Sequence, residues 1–565
     1  MQMRQGGSVS HNATTFALAC DERVGEPPRE MMISPAQCAL LLAAGLLAWR
    51  PIEVFPWSAV LTASILLALT AWGWRRTPPK DGPTMMWTVI AVAVLLFSGL
   101  VGSDPSAAIS GASLVAGMVT LLWLASREAP PVQWPAVLAL LISGLSIWGV
   151  LQLTAGPEYA EAILLQLPEP LRAGGSERLA AGRAFASQPL PSHLAILLAT
   201  ALPLLLARVR WRWNALPWFL GVVLCVVGLA LTRSPIGVGL ALVACTALAV
   251  ARGGRSIRLW LTVAVLALVF AAVVVARVDV LELEPVTLRI DNWRTAIWVW
   301  STSPAVGVGF GGFGQVAQTV PFSVGNWPRF AHSLPMEWLA ELGPVGLLVV
   351  LAGGYGLWRL VRSLWPCRPD LAVAVAVVPA HNIVDFSMHG SGVLLPWAVL
   401  VGWAIAFRRG STFVGATNSG RPVVVVSVAL ALAATILHAT SVTVLNTAIQ
   451  RAEPEERFQG ALEARQLAPW WSEPLSAIAV AALESGDREK ITEASAVLEK
   501  GLWLRPRSAS LADLRGHLAE ALGDAPSAVA EAWTAQENSP FNQVYRERAS
   551  QLFDQLQDHG VTEDR

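Results

Sequence analysis

The sequence predicts an all-α protein, polytopic in a membrane, with about 12–13 transmembrane helices followed by a helical C-terminal domain. Three observations lead there. Of the 565 residues, 54% are hydrophobic and only 14% are charged, whereas soluble domains carry roughly 25% charged residues. Apolar runs of spanning length recur up to about residue 445. Beyond that point the chain becomes rich in Glu, Arg and Ala.

Taken in order, residues 1–33 are polar, lack the short apolar core of a cleaved signal peptide, and are expected in the cytoplasm from the orientation that the basic connections set. Spans are predicted over 34–49, 54–74, 85–101, 107–126, 134–154, 190–207, 215–232, 236–251, 257–276, 335–358, 371–389, 391–407 and 422–443, within a membrane domain of residues 34–445. Every second short connection is basic. Arg75, Arg76 and Lys80, then Arg127, then Arg208, Arg210 and Arg212 follow alternate spans, and the same holds for Arg252 to Arg258, Arg359 to Arg368, and Arg408 and Arg409. Lys and Arg accumulate on the cytoplasmic side. The two long loops near 155–189 and 277–334, and the tail 446–565, are therefore expected outside the membrane.

The tail carries an internal repeat. Gly486-Asp487 recurs as Gly523-Asp524, and Pro469, Pro506 and Pro540 are spaced 37 and 34 residues apart. Helix pairs with a period near 34 residues are the signature of tetratricopeptide-type arrays. Such an array predicts a docking surface for an assembly partner. The alternative is a plain helical cap.

Lys+Arg and Asp+Glu balance at 40 each, so no global field points to nucleic acid. The five cysteines have no metal-ligand spacing and none falls in an external loop, so neither a zinc site nor a disulfide framework is expected.

The polar residues of the two long loops are the candidates for chemistry, because polar groups at a membrane surface are seldom placed there without a purpose. Arg172, Arg178, Arg183, Arg277, Arg289, Arg294 and Arg329 lie in these loops. A guanidinium offers a rigid fork for phosphate oxygens and stays charged at any physiological pH. Pairing with the loop glutamates is the other reading. His332 is the sole histidine of either loop and stands just before a helix expected to begin at Ser333, with Pro335 in its first turn. An imidazole there can take a proton from a bound hydroxyl, although a histidine at such a position is more often structural. Glu337 and Glu341 lie four residues apart on one face of that helix, and an outer-loop arginine is their expected partner. Gly307-Val-Gly-Phe-Gly-Gly-Phe-Gly314 lacks the Lys-Ser/Thr ending of a nucleotide loop and reads as a tight, close-packing turn. His381, Asp385 and His389 recur every four residues and are expected to share one face of span 371–389, as a buried polar network rather than a metal site. Arg233 sits at an outer boundary between two spans.

These residues resemble the signature of the O-antigen ligase/polymerase superfamily of bacterial inner-membrane glycosyltransferases. Arg289, Trp293, Pro304, Gly307 and Gly309, His332 and Glu341-Leu342-Gly343 stand in its order. Arg183-Ala-Phe-Ala-Ser-Gln-Pro with His193, and Thr232-Arg233-Ser234, echo two further turns, with His193 in place of the usual Asn and Pro235 in place of the usual Arg. The match covers roughly 180–410. The resemblance implies a GT-C-like multispan fold in the inner membrane. It implies transfer of a glycan from an undecaprenyl-pyrophosphate donor to an acceptor hydroxyl on the periplasmic face, with inversion and with neither metal nor other cofactor. His332 would be the base, Arg289 would hold the pyrophosphate and Glu341 would orient. Arg183, Arg233, Arg294 and Glu337 would bind substrate. Lipid A-core, a growing glycan and a protein hydroxyl are the possible acceptors, corresponding to ligase, repeat-unit polymerase and protein O-glycosyltransferase. A multispan lipid or polysaccharide transporter is the non-enzymatic alternative.

Overall fold

The computed structural model describes residues 35–50, 93–127, 130–166, 169–209, 215–253, 257–278, 284–320, 328–409, 437–438 and 440–558. It is 81% helical, with no strand among the described residues. Among the described residues, five helices are long and apolar enough to cross a membrane: Pro105–Ala125, Trp134–Thr154, Ile257–Val275, Leu334–Leu364 and Ser391–Arg409. Six shorter apolar helices accompany them, among them Pro191–Leu206, Leu216–Thr232, Pro235–Ala251 and Pro369–His381. The predicted span 54–74, residues 85–92 of span 85–101 and most of 422–443 lie outside the described residues.

Helix Pro191–Leu206 is the central post. Its sequence is apolar all round, with no polar stripe, and every residue except Ser192 is buried, as expected of a helix surrounded by others. It packs against Trp134–Ser143, Leu216–Thr232, Pro235–Ala251, Pro369–His381 and Ser391–Arg409. Peripheral helices instead leave large apolar side chains uncovered: Trp260, Leu261 and Leu268 on one, Val345, Leu348, Leu351 and Trp358 on another. An exposed apolar face of that extent suits lipid and not water.

Two of the basic connections meet at one end of this bundle. Arg208 donates to the Val132 carbonyl, and Arg258 donates to the Val209 carbonyl at 2.9 Å. Neighbouring turns of the same end are thereby tied together. The loops that carry Arg233, His332 and Asp385 lie at the ends of the same helices away from these turns.

Three local expectations need correction. The long connections are largely helical, with helices Pro157–Gln166, Glu169–Ala180 and Glu284–Thr302 inside them. Span 371–389 stops at His381, and a turn with a short 3-10 segment, Ser387–His389, follows. His381, Asp385 and His389 therefore do not share a helix face. The cause is Asn382. Its amide donates to the Val378 carbonyl and to Ser387 Oγ, and its Oδ1 accepts from the Met388 amide. A side chain that competes this well for backbone partners ends a helix. Thirdly, where no disulfide was expected, Cys367 is disulfide-bonded, while Cys38, Cys225 and Cys245 are free thiols.

After residue 450 come six helices, Pro454–Leu467, Glu473–Ser485, Arg488–Gly501, Ala509–Leu522, Ala525–Asn538 and Gln543–Asp558, each packed on the next. Gly486 and Gly523 close the second and fourth in the left-handed conformation, which glycine adopts without strain. The following Asp487 and Asp524 cap the next helix by accepting backbone amides. This part has its own apolar core around Phe458, Leu475, Ile478 and Leu498.

The tail is docked to the membrane helices by charge. Arg505 Nε lies 3.4 Å from Asp104 Oδ2, and its Nη2 lies 3.2 Å from Glu473 Oε1. Asp104 also caps helix Pro105–Ala125 by accepting from the Ala107 amide. Removing the cation by Arg505→Ala leaves a buried carboxylate without its charged partner, at a cost of about 1–3 kcal/mol. Limited proteolysis of the detergent-solubilised protein should then release the tail faster than in the parent; an unchanged cleavage rate would show that the contact does not hold it.

Candidate active site

Helix Glu284–Thr302 presents Arg289 and Trp293 on one side, four residues apart. It ends where Ser301 and Thr302 turn their hydroxyls back onto the Trp298 and Val299 carbonyls. Pro304 then follows, and a proline there stops the helix from continuing. Beyond it, Gly307, Gly309 and Gly311 all have positive φ. A Cβ on Gly307 would meet the Glu341 backbone at 2.3 Å, and one on Gly309 would meet Gly102 Cα at 2.5 Å. Only glycine fits either place.

The glycine turn and the helix Leu334–Leu364 complete one another. Pro344 has no N–H to give the Ala340 carbonyl, and Gly343 breaks the helix with φ 64° and ψ −154°. The freed Ala340 and Glu341 carbonyls accept instead from the Val308 and Gly309 amides, each at 3.0 Å. The Glu341 carboxylate accepts from the Phe313 amide at 3.3 Å, beside the Gly311 amide. Glu341 is thus a latch for the turn. None of its hydrogen bonds or ion pairs reaches His332 or Arg289.

His332 stands between this turn and the helix, with φ 54°. Left-handed backbone in a histidine costs on the order of 1–3 kcal/mol and persists only where the surroundings impose it. Here its carbonyl accepts from Trp293 Nε1 at 3.3 Å. The Ala331 amide donates to Glu337 Oε2 at 2.9 Å, and the Leu334 amide donates to the Asn382 carbonyl. The His332 ring meets the edge of Phe386, and Phe386 stacks on Phe330.

The turn after His381 brings Asp385 beneath this ring. Asp385 is 2% exposed. Its carboxylate lies 3.6 Å from Arg289 Nη2, 3.8 Å from His332 Nδ1 and 3.5 Å from His381 Nε2, and it accepts from the Phe386 amide at 2.8 Å. His381 Nδ1 is held by Ser387 Oγ at 2.9 Å. Burial lowers the His332 pKa below its ordinary value; Asp385 opposes that shift, and Arg289 adds to it. The imidazole is therefore neutral near pH 7 and able to accept a proton.

Arg289 and His332 thus meet across Asp385. The other expected residues are distributed differently. Glu337 pairs with His389 Nε2 at 2.8 Å, so neither helix carboxylate takes the arginine partner the sequence suggested. Arg294 points off the adjacent face, is 65% exposed and pairs with Asp291. Arg183 and Arg233 lie in two turns clasped together: Arg183 Nε donates to the Thr232 carbonyl and Arg233 Nη1 to the Ala181 carbonyl. Arg233 itself caps its helix with φ 47°. The segment after Arg183 leads directly into the central helix, where the buried His193 ring meets the edge of Phe386 at 5.7 Å. Both arginine turns therefore belong to the same end of the bundle as His332. Asp385 is the residue whose part in the site sequence reasoning missed. Its spacing from the histidines was visible, but its position depends on where the helix stops.

Residues 220–351 match the family model described as O-antigen ligase. That segment contains Arg233, Arg289, His332, Glu337 and Glu341, and excludes Arg183 and Asp385. No curated protein matches the chain. Over residues 220–351 the chain is thus similar to the O-antigen ligase family.

Proposed function

We propose that this protein transfers a glycan from an undecaprenyl-pyrophosphate-linked donor to an acceptor hydroxyl, at the periplasmic face of a bacterial inner membrane. The observation that carries the reading is the Arg289–Asp385–His332 cluster, two of whose members lie in the segment that matches the O-antigen ligase model.

His332 Nδ1 faces Asp385, which leaves Nε2 for the acceptor. In the reaction Nε2 takes the hydroxyl proton as the acceptor oxygen attacks the anomeric carbon. The bond from that carbon to the phosphate oxygen breaks on the opposite face, so configuration inverts. Undecaprenyl pyrophosphate leaves with the bonding electrons. Asp385 stabilises the imidazolium that forms, as an orienting carboxylate does for a histidine base. At 3.8 Å its contact with Nδ1 is not yet a hydrogen bond, and such contacts tighten when substrate binds. Arg289 has five N–H donors, enough to serve Asp385 and a phosphate together. It neutralises charge as it develops on the leaving group. The exposed Arg233, with Arg183 beside it, extends this positive edge for the donor. Guanidinium groups in these places do the work that a metal does in other pyrophosphate chemistry.

Ligase action on lipid A-core is the favoured form. The sugar-lipid profile of a deletion strain tests it. Full-length polymer stranded on undecaprenyl pyrophosphate is the expected result, whereas single repeat units would make the protein a polymerase and unmodified protein acceptors a protein O-glycosyltransferase.

His332→Ala should lower transfer by about 10²–10⁴-fold, the usual contribution of a general base, with normal membrane insertion. Arg289→Lys should fail to restore an Arg289→Ala loss, because an ammonium cannot reproduce the fork. Complementation of a deletion strain by His332→Ala at full activity would remove the base assignment. The rate should fall with acidification only below the ordinary histidine pKa of about 6.5, because the His332 pKa is lowered. Asp385→Asn removes the group that raises it, so the acid limb should move to still lower pH while the plateau rate drops. A limb moving upward in the pH–rate profile would contradict that arrangement.

A further inference from the structure

The tail contains a groove that the transfer chemistry does not use. It has a volume of about 380 Å³ and lies between the 3-10 turn Leu502–Leu504 and the helices Ala509–Leu522 and Ala525–Asn538. Sites for small ligands occupy roughly 300–1,000 Å³. Trp503 lines it and is 54% exposed. Around it stand Ser508, Arg515, Glu531, Thr534 and Asn538, and Arg515 Nη1 pairs with Glu531 Oε1 at 3.2 Å. An indole left half in water contributes little to folding. Its flat apolar face does suit the C–H face of a pyranose ring, while planar guanidinium, carboxylate and amide groups with two hydroxyls suit the ring's own hydroxyls.

The position of the groove adds a second, independent observation. The same two elements that form its walls also touch the membrane part. Leu502–Leu504 packs against helix Pro105–Ala125, and Ala525–Asn538 packs against Ala317–Thr319, which follows the glycine turn of the candidate active site. The groove is therefore built on the elements by which the tail meets the segment that follows the glycine turn.

We propose that this groove is a subsite for a saccharide chain, holding part of the donor or product glycan away from the reacting sugar. This rests on reading the protein as a glycan transferase. The test uses the full chain in detergent and calorimetric titration with lipid-free polysaccharide, released by mild acid from the source cells' surface glycolipid, with dextran as the comparison. The parent and His332→Ala should bind the polysaccharide equally, and Trp503→Ala should bind it at least tenfold more weakly while melting like the parent. Asn538→Ala, lying on a different wall, should weaken binding as well, and it serves as the readout if Trp503→Ala does not fold. No binding by the parent, or unchanged affinity in the variants, would overturn the proposal. So would a Trp503→Ala variant that keeps polysaccharide affinity but loses retention on phosphatidylethanolamine–phosphatidylglycerol vesicles, since the ring would then serve lipid. A His332→Ala variant that transfers normally would undo the catalytic reading and leave the binding result standing.

Discussion

A carboxylate buried at the end of a membrane bundle is the constraint around which this site is organised. Asp385 is almost without solvent, and an isolated charge there is costly. The protein answers with a guanidinium, two imidazoles and a backbone amide around one side chain. Each of those groups comes from a different part of the chain: Arg289 from a surface helix, His332 from a strained turn, His381 from the end of an inner helix. Compensating one charge therefore fixes three elements relative to one another. It also gives His332 an anion on the side away from the expected acceptor.

The second organising relation is between two defects. Pro344 and Gly343 break a helix that would otherwise run unbroken from Leu334, and the break leaves carbonyls without donors. The glycine turn 307–311 supplies them, and needs positive φ to come close enough. Together the two features set where the first turns of the helix lie, and with them Glu337, which holds the Ala331 amide next to His332. A small apolar cluster of Ala296, Val299, Phe313, Val316 and Ala340 closes this cap.

The tail joins the same end of the molecule. Arg505 bridges Asp104 at the start of a membrane helix and Glu473 in the tail, so the cap of that helix and the docking of the tail use one carboxylate. Burial pushes the Asp104 pKa up, with Arg505 pulling the other way.

Composition alone determined that the chain is helical and lies in a membrane, because hydrogen bonding in lipid leaves few other choices. Local chemistry determined the helix start at Ser333, the left-handed closures at Gly486 and Gly523, and the candidacy of Arg289 and His332, since each depends on residues adjacent in the chain. Tertiary structure decided the rest. Glu341 reads as an orienting partner in sequence, yet it latches the glycine turn, because the carbonyls freed at Pro344 draw that turn onto it. Arg294 looks equivalent to Arg289, but one helical step turns it to solvent. Asp385 reads as part of a helix face, and it becomes the centre of the site because Asn382 and Ser387 end that helix first. The period of a helix can be read from a sequence; the residue at which competing hydrogen bonds end it, and the distant cation that then receives a buried charge, are settled only when the chain packs.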